Sequence, residues 1–340
     1  MAELNLDSFT KCIGADIVRI KRIQAGRNSR VYHIEDESGE NYAVKMFALG
    51  GSGHDRLKRE WDAVQFLNSE EIEAVPEALF YDSHAGFAVY SFLDGTRIIE
   101  SGIKDIECFL KFFERLKMAK NTPCAAGLES ASEACFCADD LIANIIQRAL
   151  KLDAAVVLDS VTENMHTFLR QQFRPALDTA VLKAGNLLGK EELGEILPMK
   201  FRTLSGSDMG FHNALQKKDG SLFFLDFEHF GWDDPVKTIA DFLLHPGMEL
   251  SGEQEKVFTM GMFELFAEDN GLKVRFKALY DLYRMKWCLI LLNEFLESDL
   301  DRRMFASDQV DIKEIKAEQL EKAELMLAGR ISEFVSAQLY

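Results

Sequence analysis

Residues Ser205 to Phe227 read Ser-Gly-Ser-Asp-Met-Gly-Phe-His-Asn-Ala-Leu-Gln-Lys-Lys-Asp-Gly-Ser-Leu-Phe-Phe-Leu-Asp-Phe, and no other stretch constrains the chain as much. Ala214 to Gln216 reads as one short strand and Leu222 to Leu225 as a buried second one, with Asp219-Gly220 between them. An Asp-Gly pair suits a two-residue type I′ turn, because both central positions need positive φ. Asn213 and Asp226 lie equally far from that turn. An antiparallel register is therefore expected to set them opposite each other at the open end of the hairpin. That pairing would join an amide oxygen to a carboxylate, hard donors suited to Mg²⁺. Asp208 lies one loop away, five residues before Asn213.

Asp and Asn are common in turns, so each residue alone says little. Asp226, however, closes an apolar run and precedes Phe227. A carboxylate in such a setting needs a partner or a metal, since burying it unpaired is costly. A base, an amide and a metal carboxylate in this order are the parts that phosphoryl transfer requires.

A second group of residues lies upstream. The strand Tyr42 to Phe47 sets Lys45 among apolar neighbours. A helix expected from about Asp55 to Leu67 carries Leu57, Trp61, Val64 and Leu67, and Glu60 faces its apolar side. An inward acid following an inward lysine suggests an ion pair that would hold Lys45 toward the phosphates of ATP. Gly26-Arg27-Asn28-Ser29-Arg30 joins two expected strands; it reads as a plain turn or as a flap whose N–H groups, at Asn28 and Ser29, cover phosphates. Tyr90-Ser91-Phe92-Leu93 reads as a strand-like hinge, either a buried strand or a wall for an adenine ring at Tyr90 and Phe92. Glu228, Asp233 and Asp234 suit a substrate rim or the cap of a helix starting near Pro235, and the cap is the preferred reading for Asp234. His212 has no evident partner histidine and receives no role.

Across 340 residues the net charge is −17, which argues against nucleic acid or an anionic membrane as partner. The six cysteines fit no zinc spacing, and scattered cysteines in a chain of this length read as reduced. No apolar run is long enough to span a bilayer, so a cytoplasmic protein is expected. Strand signals dominate up to about residue 93. Beyond that point long amphipathic helices follow: about Lys104 to Met118, Asp139 to Leu152, Thr162 to Leu188, Glu253 to Ala267, Val274 to Leu296 and Ile312 to Ala337. The hairpin after Asp208 is the one strand pair expected among them. Two domains follow, 1–93 and 94–340.

In this order the flap, Val44-Lys45, Glu60, the hinge, Asp208-x₄-Asn213 and Leu225-Asp226-Phe227 resemble the aminoglycoside phosphotransferase and choline kinase superfamily. The similarity covers about Gly26 to Pro246 and includes Trp232-Asp233-Asp234-Pro235 and Ala240-Asp241. It implies an α+β, two-lobed protein-kinase-like fold, with a small antiparallel-sheet N-lobe and a larger, mainly helical C-lobe. It further implies an ATP- and Mg²⁺-dependent small-molecule kinase acting on an alcohol: an aminoglycoside, an amino alcohol or a sugar-like compound. Asp208 would be the base, Asn213 and Asp226 the Mg²⁺ ligands, Lys45 the phosphate contact, Glu60 its partner and Asp241 an anchor for the catalytic loop. The family loop usually reads His-Gly-Asp, where this chain has Gly206-Ser207-Asp208. Two other readings stay open: a nucleotide-binding pseudokinase serving as scaffold or regulator, and a protein kinase. Against the latter, no Ala-Pro-Glu segment follows Asp226.

Overall fold

In the computed structural model of the protein, residues 10, 14–23, 29–47, 53–297, 299–300, 311–329, 335 and 337 are described. The chain divides into two compact units. The first takes the described residues up to Arg97 together with Ala214–His229; the second takes Ile98–Asn213, Phe230–Leu300 and the described residues beyond. A single cut at residue 93 therefore does not describe the packing. The hairpin returns to the first unit because Thr96–Arg97 pairs with Leu215 and Gln216, and Phe224 N–H donates to Ala74 O at 2.7 Å.

The first unit is built on a five-stranded antiparallel sheet, β1 (Ile17–Ile23), β2 (Ser29–Asp36), β3 (Asn41–Phe47), β4 (Ala78–Asp82) and β5 (Phe87–Ser91), in the order β1-β2-β3-β5-β4. Strand β4 was not expected from the sequence beside Pro76. Side chains alternate across a strand. Tyr32, Ile34, Val44, Met46, Phe87 and Val89 thus share one buried cluster, while Lys45, between Val44 and Met46, points to the other face. The helix Gly53–Ser69 buries Leu57, Glu60, Val64 and Leu67 at spacings of three and four residues. Burying each of the three apolar side chains contributes about 1.5–3 kcal/mol.

In the hairpin, Lys217 O accepts Gly220 N–H at 3.0 Å and Lys217 N–H donates to Ser221 O at 2.8 Å. The loop is thus Lys218-Asp219-Gly220, one residue longer than the expected turn. Asp219 Oδ1 accepts from the N–H and Oγ of Ser221 at 2.9 and 2.7 Å, and only Gly220 takes a positive φ, of 84°. This is a three-residue loop with glycine in the left-handed position. It pairs Ala214 with Phe224 and Gln216 with Leu222, a register one residue away from the expected one. The ladder therefore does not set Asn213 opposite Asp226.

The second unit is mainly helical. Its described helices include Ile103–Ala119, Ala138–Asp153, Pro235–Leu244, Gly252–Leu265, Leu272–Leu291 and Ile312–Ala328, the last ending at Gly329 with φ 60°. The long helix expected from Thr162 is interrupted. A π turn at Leu169–Phe173 separates Ser160–Phe168 from Arg174–Leu188 and precedes Pro175, which lacks the N–H a regular helix would need there. A second strand pair, Thr203–Ser205 with Gly231–Asp233, was also not expected. Gly231 is required in it, since a Cβ there would lie 2.4 Å from Glu129 O. Phe109, Phe211, Phe242 and Phe258 pack ring on ring, with Phe109 and Phe242 at 5.0 Å and Phe242 and Phe258 at 3.7 Å. Phe211 thereby fixes the loop that carries Asp208 and Asn213.

Candidate active site

Lys45 organises the polar residues of the first unit. It is only 7% exposed, and its Nζ donates to Glu60 Oε2 at 2.5 Å and to Asp226 Oδ1 at 2.8 Å. The ion pair expected between Lys45 and Glu60 is present, 15 residues apart in the chain. Burial opposes the Lys45 charge, but Asp226, Glu60 and Glu228 overcome it and raise the ammonium above its ordinary range. Burial pushes Glu60 up to about 8 against the pull of Lys45. Lys45 keeps its proton in either state of Glu60, because Asp226 holds it as well.

Glu228 completes this group and was not assigned to it from the sequence. It is buried, paired with Arg56 at 3.2 Å and His229 at 3.3 Å. Burial opposes its charge, but His229, Lys45 and Arg56 hold it down at about 2. The readings of Glu228 as a substrate rim or a helix cap are therefore corrected. The sequence signal was the same as for Asp226: an acid set among phenylalanines.

Oxygens of Glu60, Asp226 and Glu228 lie within 4.8 Å of one another. All the donors are hard oxygens, so the group fits Mg²⁺ by donor type. Asp226 is its accessible member, with a side chain 30% exposed against 6% for Glu60. Its φ of 66° is a costly conformation for a non-glycine residue, of the kind that clusters at functional sites.

In the second unit the loop bearing Asp208 is fastened from beneath. Lys237, 3% exposed, donates to Ser207 Oγ at 2.9 Å and to Asp233 Oδ2 at 2.8 Å, and pairs with Asp241 at 2.9 Å. Burial opposes the Lys237 charge, but Asp233 and Asp241 keep it raised. Asp241 also accepts Trp287 Nε1–H at 2.9 Å. It therefore reaches the loop through Lys237, while Asp233 accepts from Ser207 Oγ directly, at 3.3 Å. Asp234 caps the helix Pro235–Leu244, as expected, and pairs with Arg275. Ser207, with φ 60°, is a second strained position.

Asp208 itself is about one-third exposed, with a side-chain value of 35%. Asn213 Nδ2 donates to its backbone oxygen at 2.9 Å and lies 3.4 Å from its Oδ2. The Asn213 carbonyl oxygen takes no part in these bonds. His212 Nε2 and His245 Nε2 lie 3.1 and 3.4 Å from Asp208 Oδ1, and the two rings stack at 4.0 Å with planes 9° apart. The partner histidine that could not be seen from the spacing around His212 is thus His245, 33 residues on. A positioned, partly exposed carboxylate has the geometry to accept a proton from a hydroxyl.

The remaining expected residues are placed differently. Ser29 is buried at the start of β2, opposite Phe47. Asn28 lies outside the described residues, as do Gly26 and Arg27 of the flap. Tyr90 is buried in β5, between Ala43 and Ala78 of the adjacent strands, with its ring near Trp61. The N–H groups of Ser91 and Phe92 donate to Glu77 O and Asn41 O, and the Phe92 ring stacks on His33 at 4.0 Å. Among the described residues no helix is long and apolar enough to cross a membrane.

No family model matches the sequence, and no curated protein matches it. Solved structures do match. A spectinomycin phosphotransferase in complex with ADP and spectinomycin aligns at 16% identity over 93% of this chain and 98% of that one, with a TM-score of 0.63. An ethanolamine kinase from Plasmodium vivax aligns at 14% identity over 94% and 83%, with a TM-score of 0.59. A choline kinase from Streptococcus pneumoniae aligns at 14% identity over 95% and 96%, with a TM-score of 0.56. At these identities the likeness is one of fold, and the fold is the two-lobed one the motifs implied.

Proposed function

We propose that this protein is an ATP- and Mg²⁺-dependent phosphotransferase whose acceptor is a hydroxyl group of a small molecule. The observation that carries the reading is the buried lysine held by two carboxylates, Lys45 Nζ at 2.5 Å from Glu60 and 2.8 Å from Asp226, on a fold shared with such enzymes. Lys45 binds and orients the nucleotide phosphates, and Glu60 keeps it in place. Asp208 accepts the proton of the acceptor hydroxyl as that oxygen bonds to the γ-phosphorus. The bond from phosphorus to the β–γ bridging oxygen breaks, and ADP leaves with the electron pair. Asp226 and Asn213 would hold Mg²⁺, which when bound neutralises charge on the phosphates. Ser207 and Lys237 keep the Asp208 loop in one conformation, so that little reorganisation is needed during transfer.

The acceptor class extends to amino sugars, amino alcohols, sugars and nucleosides. The test is incubation with Mg-ATP and a panel of these alcohols, with products analysed by mass. A product heavier by one phosphoryl group is expected. Tight Mg-ATP binding with no transfer across the panel would replace this reading with a regulatory, nucleotide-binding one.

A further inference from the structure

His245 plays no part in the transfer as set out above, yet its surroundings fix it closely. It follows the helix Pro235–Leu244, and its side chain is 18% exposed. The ring stacks on His212 at 4.0 Å and meets the Trp287 ring edge-on at 4.9 Å and 87°. Trp287 is itself tied to Asp241. The backbone N–H of Gly247 donates to His245 Nδ1 at 3.0 Å. A ring nitrogen that accepts carries no proton, so the neutral ring bears its proton on Nε2. That nitrogen lies 3.4 Å from Asp208 Oδ1.

The same contact excludes two other uses of the cluster Asp208, His212 and His245. A metal bound at His245 Nε2 would place the ring proton on Nδ1. An imidazolium would also carry a proton there. Either would set an N–H against the N–H of Gly247.

We propose that His245 is a positioning residue for Asp208. Held as the neutral Nε2–H form, it sets that N–H toward Oδ1 at 3.4 Å, beside His212 Nε2 at 3.1 Å, and helps fix the plane of the carboxylate, so that the other oxygen meets the acceptor hydroxyl. This inference rests on the reading of Asp208 as the base.

The experiment uses the full chain and an acceptor that the wild-type protein phosphorylates, with the variants His245→Phe and His245→Gln. Phenylalanine keeps the ring contacts and removes the N–H. Glutamine keeps a donor for Asp208 and an acceptor for Gly247 but loses the ring. His245→Phe is expected to lower kcat about 10- to 100-fold with KM for Mg-ATP unchanged, the scale of a misplaced catalytic group. His245→Gln is expected to recover most of that loss. The reverse pattern, with Phe tolerated and Gln not, would make His245 a packing residue and overturn the proposal. Ring ¹⁵N spectra of labelled histidine test the tautomer independently of turnover: a bare Nδ1 is expected at His245, and a protonated Nδ1, with or without added Zn²⁺, overturns it. Absence of transfer by the wild-type protein with every acceptor would remove the base and its positioning residue together. An active wild type alongside an equally active His245→Phe variant would remove the role of His245 alone.

Discussion

Glu228→Gln tests the charge balance of the first unit by a quantity that the geometry sets. The side chain is buried and paired with Arg56 at 3.2 Å and His229 at 3.3 Å, with Lys45 adding to the field. These groups lower its pKa from 4.5 to about 2. A fall of about 2.5 units corresponds to about 3 kcal/mol of folded-state stabilisation. Because the folded value is the lower one, the unfolded chain takes up the proton first as the solution is acidified. The contribution is complete above the ordinary value of 4.5 and is lost as pH falls toward about 2. At pH 3 about 1 kcal/mol remains by the same relation. Glutamine has the shape of the protonated acid and cannot ionise. The stability gap between wild type and Glu228→Gln, measured by urea denaturation, should therefore narrow by about 2 kcal/mol between pH 7 and pH 3. A gap of constant size over this range would show that Glu228 contributes through packing and that its charge is not held by Arg56 and His229.

Two further perturbations address the chemistry. Asp208→Asn should leave the fold and Mg-ATP binding intact while lowering turnover by roughly 10²–10⁴-fold, and near-normal turnover would remove Asp208 from the mechanism. Lys45→Ala should weaken productive use of ATP, Glu60→Ala should reproduce part of that loss, and the double variant should lose less than the two single losses combined, whereas strictly additive losses in a double-mutant cycle would mean that the two residues do not act as a unit.

The elements that position these residues were legible in the sequence wherever a local rule governs them. Alternation about Val44 and Met46 put Lys45 on the opposite face of its strand. The spacing of Leu57, Val64 and Leu67 put Glu60 on the buried side of its helix. Both inferences depend on residues within one or two turns of each other, and the ion pair at 2.5 Å agrees with them. The hairpin at Asp219-Gly220 was also legible, but its register was not. Two-residue and three-residue loops both accept Asp-Gly, and Asp219 settled the matter by binding Ser221 in place of taking a positive φ.

What only the tertiary structure decided are contacts between residues far apart in the chain. Glu228 joins Arg56 across 172 positions, and Lys45 joins Asp226 across 181. His245 reaches Asp208 and the ring of His212 because the helix Pro235–Leu244 delivers it there. No periodicity encodes such meetings. Each is set by how whole elements pack, through Phe211 against Phe109 and Phe242, through Lys237 between Asp233 and Asp241, and through Trp287 bound to Asp241. Composition and spacing thus determined which residues could carry charge inward. Packing determined which charges met, because a buried charge is stable only where the fold brings it a partner.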